Sequence, residues 1–164
     1  MPGEWRSVLA GRVWSLKQNE THLQYQVSHP VNQLESSDSA DEAVLREYFQ
    51  LDIKLCDLYE KWSKADFHFQ EVSRDFSGIR MLRQDPVENL FSFICSSNNN
   101  ISRISGMVER MCEKYGQKIL ELDGRTYYSF PTIEQLAQRD VEQHLRELGF
   151  GYRYIGLSSA RVKL

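Results

Sequence analysis

The feature that most constrains the fold is a polar corner, residues 96–100 (SSNNN), set between two apolar helical patterns. Apolar side chains recur at helical spacing before the corner, at 87–94, and after it, at 101–111. Five consecutive short polar side chains compete with helical backbone bonds and therefore favour caps and turns. The pattern predicts two buried helices that meet at a rigid corner, with Arg103 one turn behind it.

The first 27 residues show the alternation of extended chain. Alternating segments at Glu4–Val27 are separated by turn signals at Gly11 and at Asn19-Glu20, which predicts a three-stranded antiparallel meander. Trp5 and Trp14 are expected to be core or sheet-face aromatics. Residues 28–40 are polar and are predicted to form a linker.

Three helices are predicted after this linker. The first has its apolar face at 43–49 and a cap at Ser39 or Asp41, and the others cover 51–62 and 66–76. Gly78 is expected to end the third helix.

Strong boundary signals mark the helices of the second half. Asp85 followed by Pro86 predicts a helix start, and the resulting helix is expected to reach about Ser96. The helix after the corner is expected to end at Tyr115, before Gly116. Residues 119–130 are expected to be irregular and to include a short extended piece.

The predicted second half ends in two short helices and a double bend. Thr132 and Asp140 are the expected helix caps, and Gly149 is the expected left-handed stop. Gly151 allows a second bend that carries Tyr152 and Arg153. The last segment is expected to bury its apolar residues against something outside this chain, namely Ile155, Leu157 and Val162.

Composition excludes several classes. The three cysteines have no zinc or disulfide spacing, which favours a reducing, intracellular compartment. No apolar run approaches the roughly 20 residues that cross a bilayer, and a net charge of −3 does not indicate a general polyanion binder. No serine-hydrolase, zinc-protease, P-loop or dinucleotide motif occurs, so the residues alone indicate no catalytic machinery.

The polar corner and the second bend carry side chains suited to nucleic acid. Asn offers a paired donor and acceptor, Arg a bidentate fork, and an aromatic residue on a glycine bend can enter a base stack. Asparagine clusters at corners are more often caps, however, and Tyr-Arg turns are more often ordinary surface. Both interpretations stay open on the residues alone.

A long resemblance changes this balance. Residues 83–111, RQDPVENLFSFICSSNNNISRISGMVERM, closely resemble eukaryotic 8-oxoguanine DNA glycosylases of the helix-hairpin-helix superfamily. The stretches EYFQLDIKLCDLY, FHFQEVSRDF and LRELGFGYR match in the same order and spacing. The resemblance implies an α+β fold. Residues 1–77 would form a partial TBP-like N-terminal domain with its antiparallel sheet, and residues 78–164 part of an all-helical domain without the helix-hairpin-helix.

The resemblance also implies roles for four residues. Asn98 would fill the space left by a flipped purine and touch the orphaned cytosine, which Arg103 and Arg153 would also bind. Tyr152 would wedge the base stack. Asn99 and Asn100 are expected to serve as corner hydrogen bonds and caps. The implied partner is double-stranded DNA containing oxidised guanine opposite cytosine, bound by a monomer, without a cofactor or a metal.

The same resemblance implies what this chain lacks. The family's nucleophilic lysine, catalytic aspartate and helix-hairpin-helix would follow residue 164, so no catalytic residue is assigned and the chain alone is expected to be inactive. Lys163 is expected to be an ordinary tail residue. The chain is therefore expected to be a fragment, a splice form or the product of an incomplete gene model. A weak DNA-binding or helical interaction module is the alternative, and the implied location is the nucleus or the mitochondrion.

Overall fold

A computed structural model describes residues 3–30, 37–138 and 140–160 as an α+β chain, which confirms the predicted fold class. The described residues form two contact units, one from 3–30 together with 85–160 and the other from 37–84. These units divide the chain differently from the predicted domains 1–77 and 78–164, because the meander groups with the second half of the chain. The predicted domain boundary concerns the family's architecture and stays a prediction.

The predicted meander is confirmed. Strands β1 (Glu4–Leu9), β2 (Arg12–Gln18) and β3 (Leu23–Ser28) are antiparallel neighbours in that order. Trp14 is buried and its indole N–H donates to the carbonyl of Leu9 at 2.9 Å, which satisfies its only polar group. Trp5, by contrast, remains 63% exposed.

The 37–84 unit contains three helices, α1 (Asp38–Phe49), α2 (Leu55–Ala65) and α3 (Phe67–Asp75). The predicted cap of α1 at Ser39 or Asp41 is wrong, because both residues lie inside the helix and Ser37 occupies the cap position. The predicted linker lies partly outside the described residues.

Helix α2 begins four residues later than predicted, because a long-range contact fixes the turn before it. Gln50 adopts a left-handed conformation with φ 51°. The Arg80 guanidinium donates to the carbonyls of Gln50 and Ile53 at 3.0 and 3.1 Å. Asp66, which was expected to lie inside the third helix, is instead the N-cap of α3, and its carboxylate accepts from the amide of Phe69.

The two central helices agree with the sequence. Helix α4 spans Pro86–Ser96, and the Asp85 carboxylate accepts from two amides of its first turn at 2.9 Å. Helix α5 spans Ile101–Tyr115 and ends at Gly116. A Cβ atom at Gly116 would lie 2.0 Å from the carbonyl oxygen of Ser129, so close backbone approach requires glycine there.

Residues 118–128 form a hairpin, so the extended piece expected within 119–130 is present as two paired strands. Strands β4 (Lys118–Leu122) and β5 (Arg125–Tyr128) are antiparallel and joined by Asp123 and Gly124, with φ 51° and 74°. Two left-handed residues make the tight turn that matches strand twist, and Asp-Gly is a strong signal for it. The expectations of mostly irregular chain here and of an all-helical half are therefore wrong.

Three short helices complete the fold, α6 (Ile133–Leu136), α7 (Val141–Glu147) and α8 (Arg153–Ala160). Thr132 caps α6 in a reciprocal capping box with Gln135, as predicted. Asp140 occupies the predicted cap position of α7, but its side chain makes no capping bond. Gly149 follows α7 with φ 83°, which confirms the predicted left-handed stop.

Residues 85–160 contain one apolar core, which is formed by side chains from α4 to α8 and from the bend after α7. Its buried members are Phe91, Cys95, Met107, Met111, Leu136, Val141, Leu145, Phe150 and Leu157. The expectation that Leu157 needs a surface outside this chain is wrong, because it is only 2% exposed within this core. Ile155 is 54% exposed, and Val162 and Lys163 lie outside the described residues. No helix in the described ranges is long and apolar enough to cross a membrane.

Candidate nucleic-acid interface

The Asn99 side chain closes the polar corner from the inside. Its Nδ2 donates to the carbonyl of Cys95 at 2.9 Å and to the sulfur of Met107 at 3.3 Å. Its Oδ1 accepts from the amide of Asn100 at 3.0 Å. Asn99 therefore joins the end of α4 to α5, which confirms its predicted role as a corner hydrogen bond.

Asn100 is the N-cap of α5. It has extended backbone angles, and its Oδ1 accepts from the amide of Arg103 at 3.0 Å. This bond satisfies one of the first helical N–H groups, which have no partner within the helix. The predicted cap is confirmed, and it fixes the backbone of Arg103 relative to the corner.

Asn98 lies at the outermost turn of the corner in a left-handed conformation, with φ 46°. Asn tolerates this conformation better than most residues. Its backbone carbonyl accepts from Arg153 at 3.0 Å, while its exposed side chain makes no hydrogen bond with a described residue. The corner thus has a fixed backbone and an available amide.

Arg153 holds the second bend against this corner from a buried position, with 5% exposure. Its Nε donates to the carbonyl of Ser97 at 3.1 Å, and its Nη2 donates to the carbonyls of Ser97 and Asn98. Nη1 makes a long contact of 3.5 Å with the carbonyl of Phe150. A rigid fork of donors therefore organises carbonyls from both bends.

Tyr152 flanks the same carbonyl but remains at the surface. Its hydroxyl donates to the carbonyl of Ser97 at 3.2 Å, and 56% of the residue is exposed. The guanidinium carbon of Arg153 lies 4.8 Å from the centre of its ring, within cation–π distance. The ring is thus held at its polar end while much of its surface remains accessible.

Arg103 stands apart from this network. It is exposed, and its guanidinium makes no hydrogen bond within the described part of the chain. Among the described residues, hydrogen bonds to backbone carbonyls therefore join Asn98, Tyr152 and Arg153, and the Asn100 cap connects the backbone of Arg103 to the corner.

The acceptor that unites the site, the Ser97 carbonyl, was missed by sequence reasoning. Ser97 was noted only as one polar residue of the corner. A backbone carbonyl carries no residue-type signal, and its use depends on a bend more than fifty positions away. No pattern in the sequence identifies this contact.

Burial also shapes the chemistry beneath the corner. Desolvation raises the pKa of the Cys95 thiol to about 11, although the Arg153 charge opposes this shift. Cys95 is therefore a protonated packing residue at neutral pH. Within the described ranges no three His, Cys, Asp or Glu side chains converge as metal ligands. The arrangement offers exposed hydrogen-bonding groups and an aromatic face.

Two family models match nearly the whole chain. Residues 1–90 match the 8-oxoguanine DNA glycosylase N-terminal domain. Residues 91–162 match the HhH-GPD superfamily of base excision DNA repair proteins.

Curated relatives agree with these models. The N-glycosylase/DNA lyase of Saccharomyces cerevisiae is 51% identical over 110 residues, which are 66% of this chain and 29% of that protein. The N-glycosylase/DNA lyase OGG1 of Arabidopsis thaliana is 41% identical over 127 residues, covering 77% of this chain and 34% of that protein. The chain thus spans about a third of the length of these relatives.

Solved structures share the fold. MBOgg1 in complex with a low-affinity DNA ligand superposes with a TM-score of 0.83 at 28% identity, covering 98% of this chain and 52% of that one. The Clostridium acetobutylicum 8-oxoguanine glycosylase/lyase, bound to duplex DNA with cytosine opposite 8-oxoG, gives 0.82 at 28%, covering 98% and 51%. The chain belongs to the 8-oxoguanine DNA glycosylase family, within the HhH-GPD superfamily of base excision repair proteins.

Proposed function

We propose that this chain is the opposite-base-reading part of an 8-oxoguanine glycosylase/lyase acting as a monomer in base excision repair of duplex DNA. One observation carries the proposal: the side chains of Asn98 and Arg103 are exposed on a corner whose backbone carbonyls are held by the buried Arg153. The family membership and the cytosine-containing duplex of the Clostridium relative support it.

The chemistry of the exposed groups suits cytosine. The Watson–Crick edge of cytosine has acceptors at O2 and N3 and a donor at N4. A guanidinium supplies paired donors, and a carboxamide can both donate and accept. Arg103 and Asn98 together therefore complement an unpaired cytosine, whereas an opposite adenine has a C–H group in place of the O2 acceptor and leaves one donor of Arg103 without a partner.

Tyr152 and Arg153 support this reading in different ways. The exposed Tyr152 ring is available to enter the stack beside the lesion, as aromatic wedges do. Arg153 holds the carbonyls of the corner in the DNA-free geometry. To bond cytosine directly, Arg153 would give up its hydrogen bond to one of these carbonyls and donate to an acceptor of the base instead.

The first experiment compares affinities for duplexes with 8-oxoguanine opposite cytosine or adenine. A well-placed bidentate contact discriminates by about 1–3 kcal/mol, so the parent protein is expected to prefer cytosine by roughly tenfold. Arg103→Ala is expected to lose this preference. Lys114→Ala removes the same charge from an exposed residue in the last turn of α5 and is expected to keep it. An unchanged preference in Arg103→Ala would contradict the proposal.

We also propose that the chain alone does not cleave the base. Schiff-base chemistry needs an activated lysine, and neither the polar corner nor residues 149–153 contain one. Borohydride treatment with an 8-oxoguanine:cytosine duplex is therefore expected to trap no covalent adduct. An adduct formed by these 164 residues would show that this part of the proposal is wrong.

The alternative is a helical interaction module without base preference. The 37–84 unit favours it, because an apolar cavity of about 360 Å³ there is lined by Tyr59, Trp62 and Phe69. Concentration-dependent association in analytical ultracentrifugation, together with equal affinity for all opposite bases, would select this alternative.

A further inference from the structure

Arg110 links the helix that carries Arg103 to the helix that precedes the second bend. It lies seven positions after Arg103 on α5, so the two residues share a helix face. The Nε of Arg110 donates to the carbonyl of Leu148 at 3.1 Å. Leu148 is the C-cap of α7 and directly precedes Gly149.

This carbonyl needs a partner because α7 ends there. The Gly149 amide bonds the carbonyl of Arg146, and the Phe150 amide bonds the carbonyl of Leu145, both at 3.1 Å. These two bonds form the usual left-handed stop and satisfy earlier carbonyls. The Leu148 carbonyl lies past them, where the helix supplies no amide, and Arg110 provides the donor.

A second observation concerns Gly106, in the middle of α5. Glycine weakens a helix interior, and no left-handed angle requires it at this position. A Cβ atom there would lie 3.3 Å from Nη1 of Arg110, one turn later. The missing side chain therefore leaves room for the guanidinium to lie along the helix on its way to Leu148.

We propose that Arg110 is a positioning residue of the opposite-base-reading site, a role that rests on the function proposed above. By holding the Leu148 carbonyl, it fixes the start of the bend 149–153 relative to α5. In this position of the bend, Tyr152 and Arg153 both donate to the Ser97 carbonyl. Arg110 acts through this hydrogen bond and makes no contact with the base itself.

Two substitutions separate the hydrogen bond from the charge. Arg110→Ala removes both. Arg110→Gln removes the charge but places an amide N–H the same number of bonds from the backbone as the arginine Nε. Lys114→Ala is the matched control for loss of one positive charge on α5. Each protein is measured by hydrogen exchange of the peptide covering 146–153 and by its cytosine-over-adenine preference in 8-oxoguanine duplexes.

Losing a charged hydrogen bond at a partly solvated site is expected to speed exchange in 146–153 by about five- to tenfold. Arg110→Ala should show this change and a reduced cytosine preference, whereas Arg110→Gln and Lys114→Ala should stay close to the parent protein. If Arg110→Gln behaved like Arg110→Ala, the charge would be the active feature and the proposal would be wrong.

The two readouts also separate this proposal from the proposed function. Unchanged exchange in Arg110→Ala would overturn the positioning role even if the parent protein prefers cytosine. A parent protein without any cytosine preference would overturn the proposed function, and with it the role in base reading. Faster exchange in Arg110→Ala would then leave Arg110 only as a stabiliser of the bend.

Discussion

The guanidinium of Arg153 donates to the carbonyl of Ser97 from both Nε and Nη2, so two bends that lie 56 positions apart in sequence share one acceptor. The hydroxyl of Tyr152 donates to the same carbonyl. This convergence makes the corner and the second bend one structural unit. The two arginines therefore differ in their surroundings. Arg153 is buried and bonds backbone carbonyls, whereas Arg103 is exposed.

The first prediction follows from that difference. Arg153→Ala removes the guanidinium donors from the Ser97 and Asn98 carbonyls and leaves the bond from the Tyr152 hydroxyl to the Ser97 carbonyl. It is expected to lower the free energy of unfolding by about 2–4 kcal/mol. Arg103→Ala should change it by less than about 0.5 kcal/mol, because the removed side chain is exposed and unbonded. Urea denaturation followed by circular dichroism measures both. Equal destabilisation by the two substitutions would show that the buried fork is not the stabilising feature.

The second prediction concerns the left-handed backbone of Asn98. Asn98→Gly relieves the steric cost of a positive φ, so its unfolding free energy should stay within about 0.5 kcal/mol of the parent protein. Asn98→Ala keeps that cost without the local tolerance of asparagine and should lose about 1 kcal/mol. Both variants should lose cytosine preference in duplex titrations. A glycine variant that kept the full preference would show that the amide does not contact the base.

The third prediction distinguishes the inner asparagine from the capping one. Asn99→Asp replaces the donor to the Cys95 carbonyl with an oxygen and should cost about 2–3 kcal/mol of unfolding free energy. Asn100→Asp is the matched control, since Asp caps helices as well as Asn and its charge suits a helix N-terminus. Thermal or urea unfolding at neutral pH should show a large loss for the first variant alone. Equal losses would contradict the assigned hydrogen bonds.

The fourth prediction concerns alkaline pH. Burial raises the pKa of Cys95 from 9.0 to about 11, so the unfolded chain releases this proton first as the pH rises. Stability is thus fully present below pH 9 and falls as the pH approaches 11, by roughly 2–3 kcal/mol for a shift of this size. Cys112, with a pKa of about 12, adds to the loss.

Denaturation at pH 8 and pH 10.5 tests this sign. Cys95→Ala should show a smaller loss of unfolding free energy between the two pH values than the parent protein. Cys56→Ala is the matched control because its thiol is exposed. An identical loss in Cys95→Ala and the parent protein would remove Cys95 as a cause.

Features set by neighbouring residues could be predicted from the sequence. The helix start at Asp85-Pro86, the stop at Gly149 and the meander depend on caps, positive φ and alternation, which are local. The hairpin at Asp123-Gly124 was equally local, and the prediction failed because its turn signal was not used.

Features set by distant residues could not be predicted. Helix α2 begins late because Arg80 bonds the carbonyls of the preceding turn. The Ser97 carbonyl and the Arg110 contact likewise depend on where α7 ends in space. The pattern of the corner indicated Arg103, the family resemblance supplied the roles of Asn98 and Arg103, and the structure adds the backbone network that supports them.

The most direct test of the account identifies which residues lie against the opposite base. A duplex with a photoreactive cytosine analogue opposite 8-oxoguanine is cross-linked to the full chain, and the attached peptides are identified by mass spectrometry. The account predicts attachment within the corner and the first turn of α5, or at the exposed Tyr152 ring. Attachment confined to the 37–84 unit or to the hairpin 118–128 would contradict it.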